Sequence, residues 1–159
     1  MVFVTTAVAN WQPIFADPEV AEICLSQLKE SAQHFGVSIV GYVLMPHHLH
    51  LLLGFPDIRK LSRFMQSFKI LSSKKIGELL RMKGHLVGKE NISLWQARFD
   101  DLIIVSEEQF RIKLNYIHEN PVRAGLVQSA TDYPYSSAGD WINEIEGRIK
   151  IDKEFGWTK

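Results

Sequence analysis

The 159-residue sequence has a single cysteine, Cys24. One thiol excludes a disulfide framework and a cysteine-built zinc site. Its place in an apolar periodic stretch reads as a buried, inert side chain. An excess of charge of one sign is missing too: Lys plus Arg and Asp plus Glu number 18 each, so overall charge points to no partner. No apolar run approaches the ~18 residues that a membrane span needs. The opening "MVFV" lacks the basic segment of a secretory signal. Repeats and low-complexity tracts are also absent. These absences leave a soluble, cytoplasmic protein with no membrane partner. Its 46% hydrophobic residues suffice for the core of one domain, with a core over about residues 2–127 and a tail over 128–159.

Residues 2–9, "VFVTTAVA", are β-branched and read as a strand. A helix then starts at Asp17-Pro18-Glu19, with a capping side chain, a proline suited to the first position and an acid at the positive end. Val20, Cys24 and Leu28 recur at helical spacing, and Gly36 offers a stop. Residues 37–45 read as a second strand. Pro46 breaks it, and "HHLHLLLG" reads as a third. The next helix runs from Asp57 to Gly84, with Leu61, Phe64, Met65, Phe68 and Leu71 as its apolar stripe. A loop over 84–93 leads to residues 94–106, which end in a fourth strand. Ser106 and Gln109 have capping-box spacing. They start a last helix with Phe110, Leu114 and Ile117 as its packing face and Pro121 as its end. The order β-α-β-β-α-β, then α, is that of a ferredoxin-like α+β palm: an antiparallel sheet with helices on one face, plus a C-terminal helix. A covering tail follows.

Two constellations stand out on this frame. In "MPHHLHLLLG", alternation along a strand puts His48, His50 and Leu52 on one face and His47, Leu49, Leu51 and Leu53 on the other. Two imidazoles side by side can hold a metal ion or a phosphate oxygen; the plain alternative is a pair of surface histidines on a half-exposed sheet. In "NYIHENPVRAGLV", Tyr116 and Asn120 lie four apart and share a helix face. Taken singly, each suits ordinary packing or a helix end. His118 points away from Tyr116, whereas Lys113, three positions before the phenol, can lower its pKa or simply face solvent.

"YVLMPHHLHLLL", "LWQARFDDLII" and "YIHENPVRAGLV", in that order and with "FMQSFKILSSKKI" between them, resemble the REP-associated tyrosine transposases. These belong to the wider class of HUH single-strand endonucleases, in which U is a bulky apolar residue. The resemblance spans about Val4 to Ala138. It implies a ferredoxin-like palm, His48 and His50 as metal ligands, Leu49 as the apolar U, Tyr116 as the nucleophile and Asn120 as the residue completing the metal site. It also implies cleavage and rejoining of single-stranded DNA at hairpin-flanked repeats through a 5′-phosphotyrosine; the sequence leaves monomer or homodimer open. Two positions depart from the pattern. His47 stands where asparagine is common, and Asp100-Asp101 follow Phe99 where relatives often carry an aromatic, an acid and then a basic or histidine residue. The mixed N/O donor set suits Mg²⁺ or Mn²⁺, and His34, His85 and His118 lack the spacing for a closed zinc site.

A DNA surface is also legible. From Ile58 to Gly84 there are eight basic residues and one acid, Glu78. Such a concentration in a neutral chain suits a polyanion. Arg59, Lys60, Arg63, Lys69, Lys74 and Lys75 are candidate phosphate contacts there, joined by Arg98 and Arg123 near the motifs. Trp95 and Phe99 suit either base stacking or core packing. A binding module of the same fold without strand transfer, and a metal hydrolase using the histidines alone, are the competing readings. An RNA-recognition domain is disfavoured because its aromatic signature is missing.

Overall fold

The structure is a computed structural model and describes residues 1–88 and 92–156. The middle of the expected 84–93 loop and the last three residues of the tail lie outside the described residues. The strands are β1 (Val2–Ala7), β2 (Ser38–Met45), β3 (His48–Gly54) and β4 (Asp100–Ile103). The helices are α1 (Pro18–Phe35), α2 (Leu61–Met82), α3 (Glu107–Arg123) and α4 (Ala138–Ile142). The strands form one antiparallel sheet in the order β2-β3-β1-β4, so the mixed α+β palm expected from the element order is the fold observed. β1 stops two residues earlier than its β-branched run suggests, because the chain turns into a short 3₁₀ segment at Ala9–Trp11. Of the stretch 94–106, only Asp100–Ile103 is strand.

The sheet has two covered faces. Leu49, Leu51 and Leu53 of β3 point into the larger core beneath α1 and α2, with Val20, Cys24, Leu28, Phe64 and Phe68. Helix α1 begins as expected: the Asp17 carboxylate accepts the Glu19 N–H at 2.9 Å. Helix α2 begins at Leu61 rather than Asp57, after a 3₁₀ turn in which Asp57 caps the Arg59 N–H at 3.0 Å. Its stripe also drifts. At 3.6 residues per turn the core side passes from Phe68 to Ser72 and Ile76, leaving Leu71 39% exposed. Ser72 tolerates this place because its hydroxyl is satisfied twice: it donates to the Phe68 carbonyl (2.7 Å) and accepts the Trp95 indole N–H (2.9 Å). Trp95 is therefore a core residue, packed between Phe15 and Phe68, and is not a base-stacking platform.

The opposite face carries the candidate site. Phe3, Val43, Met45 and Leu52 pack with Ile117, and with Phe110 and Leu114, under α3. Gly41 permits this approach: a Cβ there would lie 2.9 Å from Leu114 Cδ1. The Ser106 hydroxyl accepts the Gln109 N–H at 3.1 Å, and the Gln109 side chain returns to the Val105 N–H at 3.0 Å. At the other end α3 does not stop at Pro121 but continues to Arg123. In the last turn a missing N–H costs one bond to Ile117 and no more. Gly125, at φ 73°, makes the stop: its N–H meets the Val122 carbonyl, and the Leu126 N–H meets that of Pro121, both at 2.9 Å.

The tail does more than cover the core. It lies along the free edge of β2, through Leu44 N–H to the Tyr135 carbonyl (2.8 Å), Ser137 N–H to Tyr42 (3.0 Å) and Asp152 N–H to Ile39 (2.9 Å). That edge is closed to foreign strands. Among the described residues no helix is long and apolar enough to cross a membrane.

Candidate active site

β3 lies between β1 and β2, so its outward residues face both neighbours. The register sets Thr5 opposite His50 and Ala7 opposite His48 on one side, and Val43 and Met45 on the other. His48 and His50 thus stand side by side under the α3 face, with ring centroids 4.6 Å apart. Both are buried, and each ring has a partner on Nδ1. For His50 it is the Thr5 hydroxyl at 2.7 Å; for His48 it is Nδ1 of His47 at 2.9 Å. His47, partly buried just before the strand, turns toward His48 and packs its ring edge against Trp11. The outward pair is therefore His48 and His50, and His47 supports the first of them.

Burial disfavours the charged imidazole. It lowers His48 to about 4, helped by the neighbouring His47 ring. It lowers His50 to about 3, helped by His48 and by the positive charges of Lys113 and Arg123. Both rings are neutral at physiological pH, the state in which imidazole binds a metal. With Nδ1 engaged, Nε2 is the nitrogen left on each ring. Where Thr5 accepts from Nδ1–H, the Nε2 lone pair is free, as a metal ligand requires.

Tyr116 projects from α3 onto this pair. Its ring centroid lies 5.3 Å from that of His50 and 6.1 Å from that of Phe3, both edge-on. It is 38% exposed, so the phenol is held at the sheet while remaining open to a ligand. Two cations flank it. Lys113 Nζ is 4.6 Å from the Phe3 ring centre and 5.4 Å from that of Tyr116, and the Arg123 guanidinium carbon is 4.6 Å from the Tyr116 ring centre. Asn120 lies one turn further along the same stripe and is half-buried. Among the described residues its amide makes no hydrogen bond to either imidazole, and no three His, Cys, Asp or Glu side chains form a metal cage. Two imidazoles and an amide are an open donor set.

α3 itself is pinned by a residue on its inner side. His118 is buried, which lowers it to about 4. Its Nε2 lies 2.9 Å from the Ser137 hydroxyl, which also accepts the Tyr42 N–H at 3.0 Å. Helix, tail and β2 are joined at one hydroxyl.

The basic residues divide. Lys60, Arg63, Lys74 and Arg98 are exposed. Arg59, also exposed, pairs with Asp57. Lys75 pairs with Glu30 of α1 at 2.7 Å, and Lys83 with Asp17 and Glu19. Lys69 is partly buried: its ammonium donates to the carbonyls of Gln96 (2.9 Å) and Arg98 (3.2 Å) and lies over the Phe99 ring. It ties residues 96–99 to α2. Between them runs a groove of about 570 Å³ lined by Gln66, Lys69, Ile70, Lys74, Gln96 and Phe99. Sequence position alone overstates the free charge of α2, because the balancing acids come from α1.

The family "Transposase IS200 like" matches residues 2–120, from β1 to Asn120. The chain belongs to this family. It is 28% identical over 140 residues to a candidate REP-associated tyrosine transposase of Haemophilus influenzae, covering 80% of this chain and 79% of that one. It is 29% identical over 99 residues to the REP-associated tyrosine transposase of Escherichia coli K12, covering 62% and 53% of the two chains. The fold matches that of a REP-associated tyrosine transposase solved with a REP hairpin, at a TM-score of 0.73 and 20% identity over 98% of this chain and 89% of that one. A candidate transposase from Deinococcus radiodurans matches at a TM-score of 0.54 and 25% identity, over 75% and 88% of the two chains.

Sequence reasoning missed Thr5, Trp11, Phe3 and Ser137. Thr5 and Phe3 alternate on a recognisable strand, so their face was readable but their register against β3 was not. Trp11, in the short 3₁₀ segment, and Ser137, at the start of α4, lie where no long period applies.

Proposed function

We propose that this protein cleaves and rejoins single-stranded DNA at hairpin-flanked repeats, with Tyr116 as the nucleophile. The observation that carries this reading is the Tyr116 ring standing against His50, 5.3 Å between centroids, beside His48. A phenol placed edge-on to paired neutral imidazoles, and still partly open, suits nucleophilic attack on a phosphate bound between them. Family membership and the hairpin-bound structure of a fold neighbour support the choice of DNA as substrate.

The donor set fits a divalent cation. Mg²⁺ or Mn²⁺ held by His48 Nε2, His50 Nε2 and the Asn120 amide oxygen would polarise the scissile phosphate. The chain's own residues supply the rest. The Tyr116 oxygen bonds to phosphorus as the bond to the sugar 3′ oxygen breaks. The phenolic proton leaves to water, and the 3′ oxygen takes one up. The products are a 5′-phosphotyrosine and a free 3′-OH, so a phosphodiester-like bond is conserved. A 3′-OH can then attack it and reseal the strand without a nucleotide cofactor. Lys113 adds positive charge beside the phosphate. Lys60, Arg63, Lys74 and Arg98 hold the DNA backbone; Arg59, Lys69 and Lys75, already engaged, contribute less.

The test is incubation with hairpin-flanked single strands and Mn²⁺, followed by denaturing electrophoresis. A protein–DNA adduct is expected from the wild type and none from His48→Ala/His50→Ala. Cleavage by that variant at the wild-type rate would move the site elsewhere.

A further inference from the structure

Arg123 sits two helical turns beyond Tyr116, on the same stripe of α3. Proximity to the motif suggests a phosphate contact, but its geometry serves the tyrosine first. Nη2 donates to the Tyr116 backbone carbonyl at 2.8 Å, while the guanidinium carbon lies 4.6 Å from the centre of the Tyr116 ring. One planar group thus grips both the main chain and the side chain of the same residue. The local backbone explains how it reaches. Seven residues are close to two full turns, which brings Arg123 back over the face that carries Tyr116. Phe3 and His50 meet edges of the ring, and Lys113 lies 5.4 Å from its centre.

We infer that Arg123 is a positioning residue for Tyr116: its guanidinium fixes the phenol ring against His50, and its effect on strand cleavage runs through that ring and not through the DNA backbone. The inference rests on the reading of Tyr116 as nucleophile and adds a part to it. Lysine keeps the charge but replaces the planar, pre-organised fork with a point charge on a flexible stem, so it holds the ring less firmly.

Arg123→Ala and Arg123→Lys test it in three measurements on the full chain. In the DNA-free protein, ring-¹³C-labelled tyrosine gives four tyrosine signals to follow by NMR, and Tyr116→Phe assigns the relevant one. Both Arg123 variants are expected to shift or broaden the Tyr116 signal while leaving Tyr42 in place. In single-turnover cleavage both are expected to lower the rate at saturating DNA by at least about tenfold. In binding, both are expected to retain the wild-type Kd and the wild-type slope of log K against log salt. A phosphate contact gives the opposite set: Arg123→Lys cleaves normally, and Arg123→Ala binds more weakly with a slope smaller by about one. That set, or an unmoved Tyr116 signal, overturns the inference. If the wild type forms no adduct at all, the functional reading fails, while the NMR measurement still decides whether Arg123 fixes the ring.

Discussion

Thr5 and His50 face each other across β1 and β3, with the threonine hydroxyl 2.7 Å from Nδ1 of the imidazole. This contact sets the direction in which His50 presents its other nitrogen. Hydrogen-bond partners of this kind typically account for 10–100-fold in metal affinity. Thr5→Val keeps the shape and β propensity but removes the hydroxyl. It should fold normally and bind Mn²⁺ roughly tenfold or more weakly, as read by Mn²⁺ electron paramagnetic resonance titration. Wild-type affinity in the valine variant would show that Thr5 does not orient the ring.

The basic helix should not behave as a uniform strip. Lys74 is exposed, whereas Lys75 is already paired with Glu30. Lys74→Gln should weaken single-strand binding similarly for all sequences and flatten the log–log salt slope by up to about one. Lys75→Gln should change the slope by much less. Equal effects would mean that Lys75 leaves Glu30 for the DNA.

A pH prediction follows from Tyr133, whose hydroxyl donates to the Leu44 carbonyl at 2.8 Å. Burial, with the neighbouring Tyr135, pushes it up to about 12, against about 10 for a free phenol. The folded state therefore holds this proton more tightly than the unfolded state. The resulting stability is fully present below pH 10 and is lost as pH rises toward 12. Absorbance of phenolate at 295 nm should show a late step that Tyr133→Phe removes. A Tyr133 titration near 10 would contradict the packing of the tail on β2.

Much of this was legible in the sequence because it depends on period and local chemistry. Alternation placed His48 and His50 together, and four-residue spacing placed Tyr116 and Asn120 on one stripe. The Asp17 and Ser106 caps and the packing of Phe110, Leu114 and Ile117 followed in the same way. Where reading failed, a distant partner decided. Ser72 is tolerated in the core in place of Leu71 because Trp95 bonds its hydroxyl, and Lys75 lost its freedom to an acid on another helix. Pro121 did not end α3, because in a last turn its missing N–H costs little and Gly125 makes a better stop. The order β2-β3-β1-β4 follows from the fold type, but the register that gives His50 its threonine does not.

The most direct measurement is the site of covalent attachment. Wild-type protein is incubated with a hairpin-flanked single strand and Mn²⁺, digested, and analysed by mass spectrometry, beside Tyr116→Phe. The phenylalanine variant keeps the ring between Phe3, His50 and Arg123, so it should fold and bind DNA as the wild type does, yet neither cleave nor form an adduct. The predicted result is a nucleotide on the wild-type peptide that contains Tyr116. A nucleotide on Tyr133 or Tyr135, or full cleavage by Tyr116→Phe, would contradict the account.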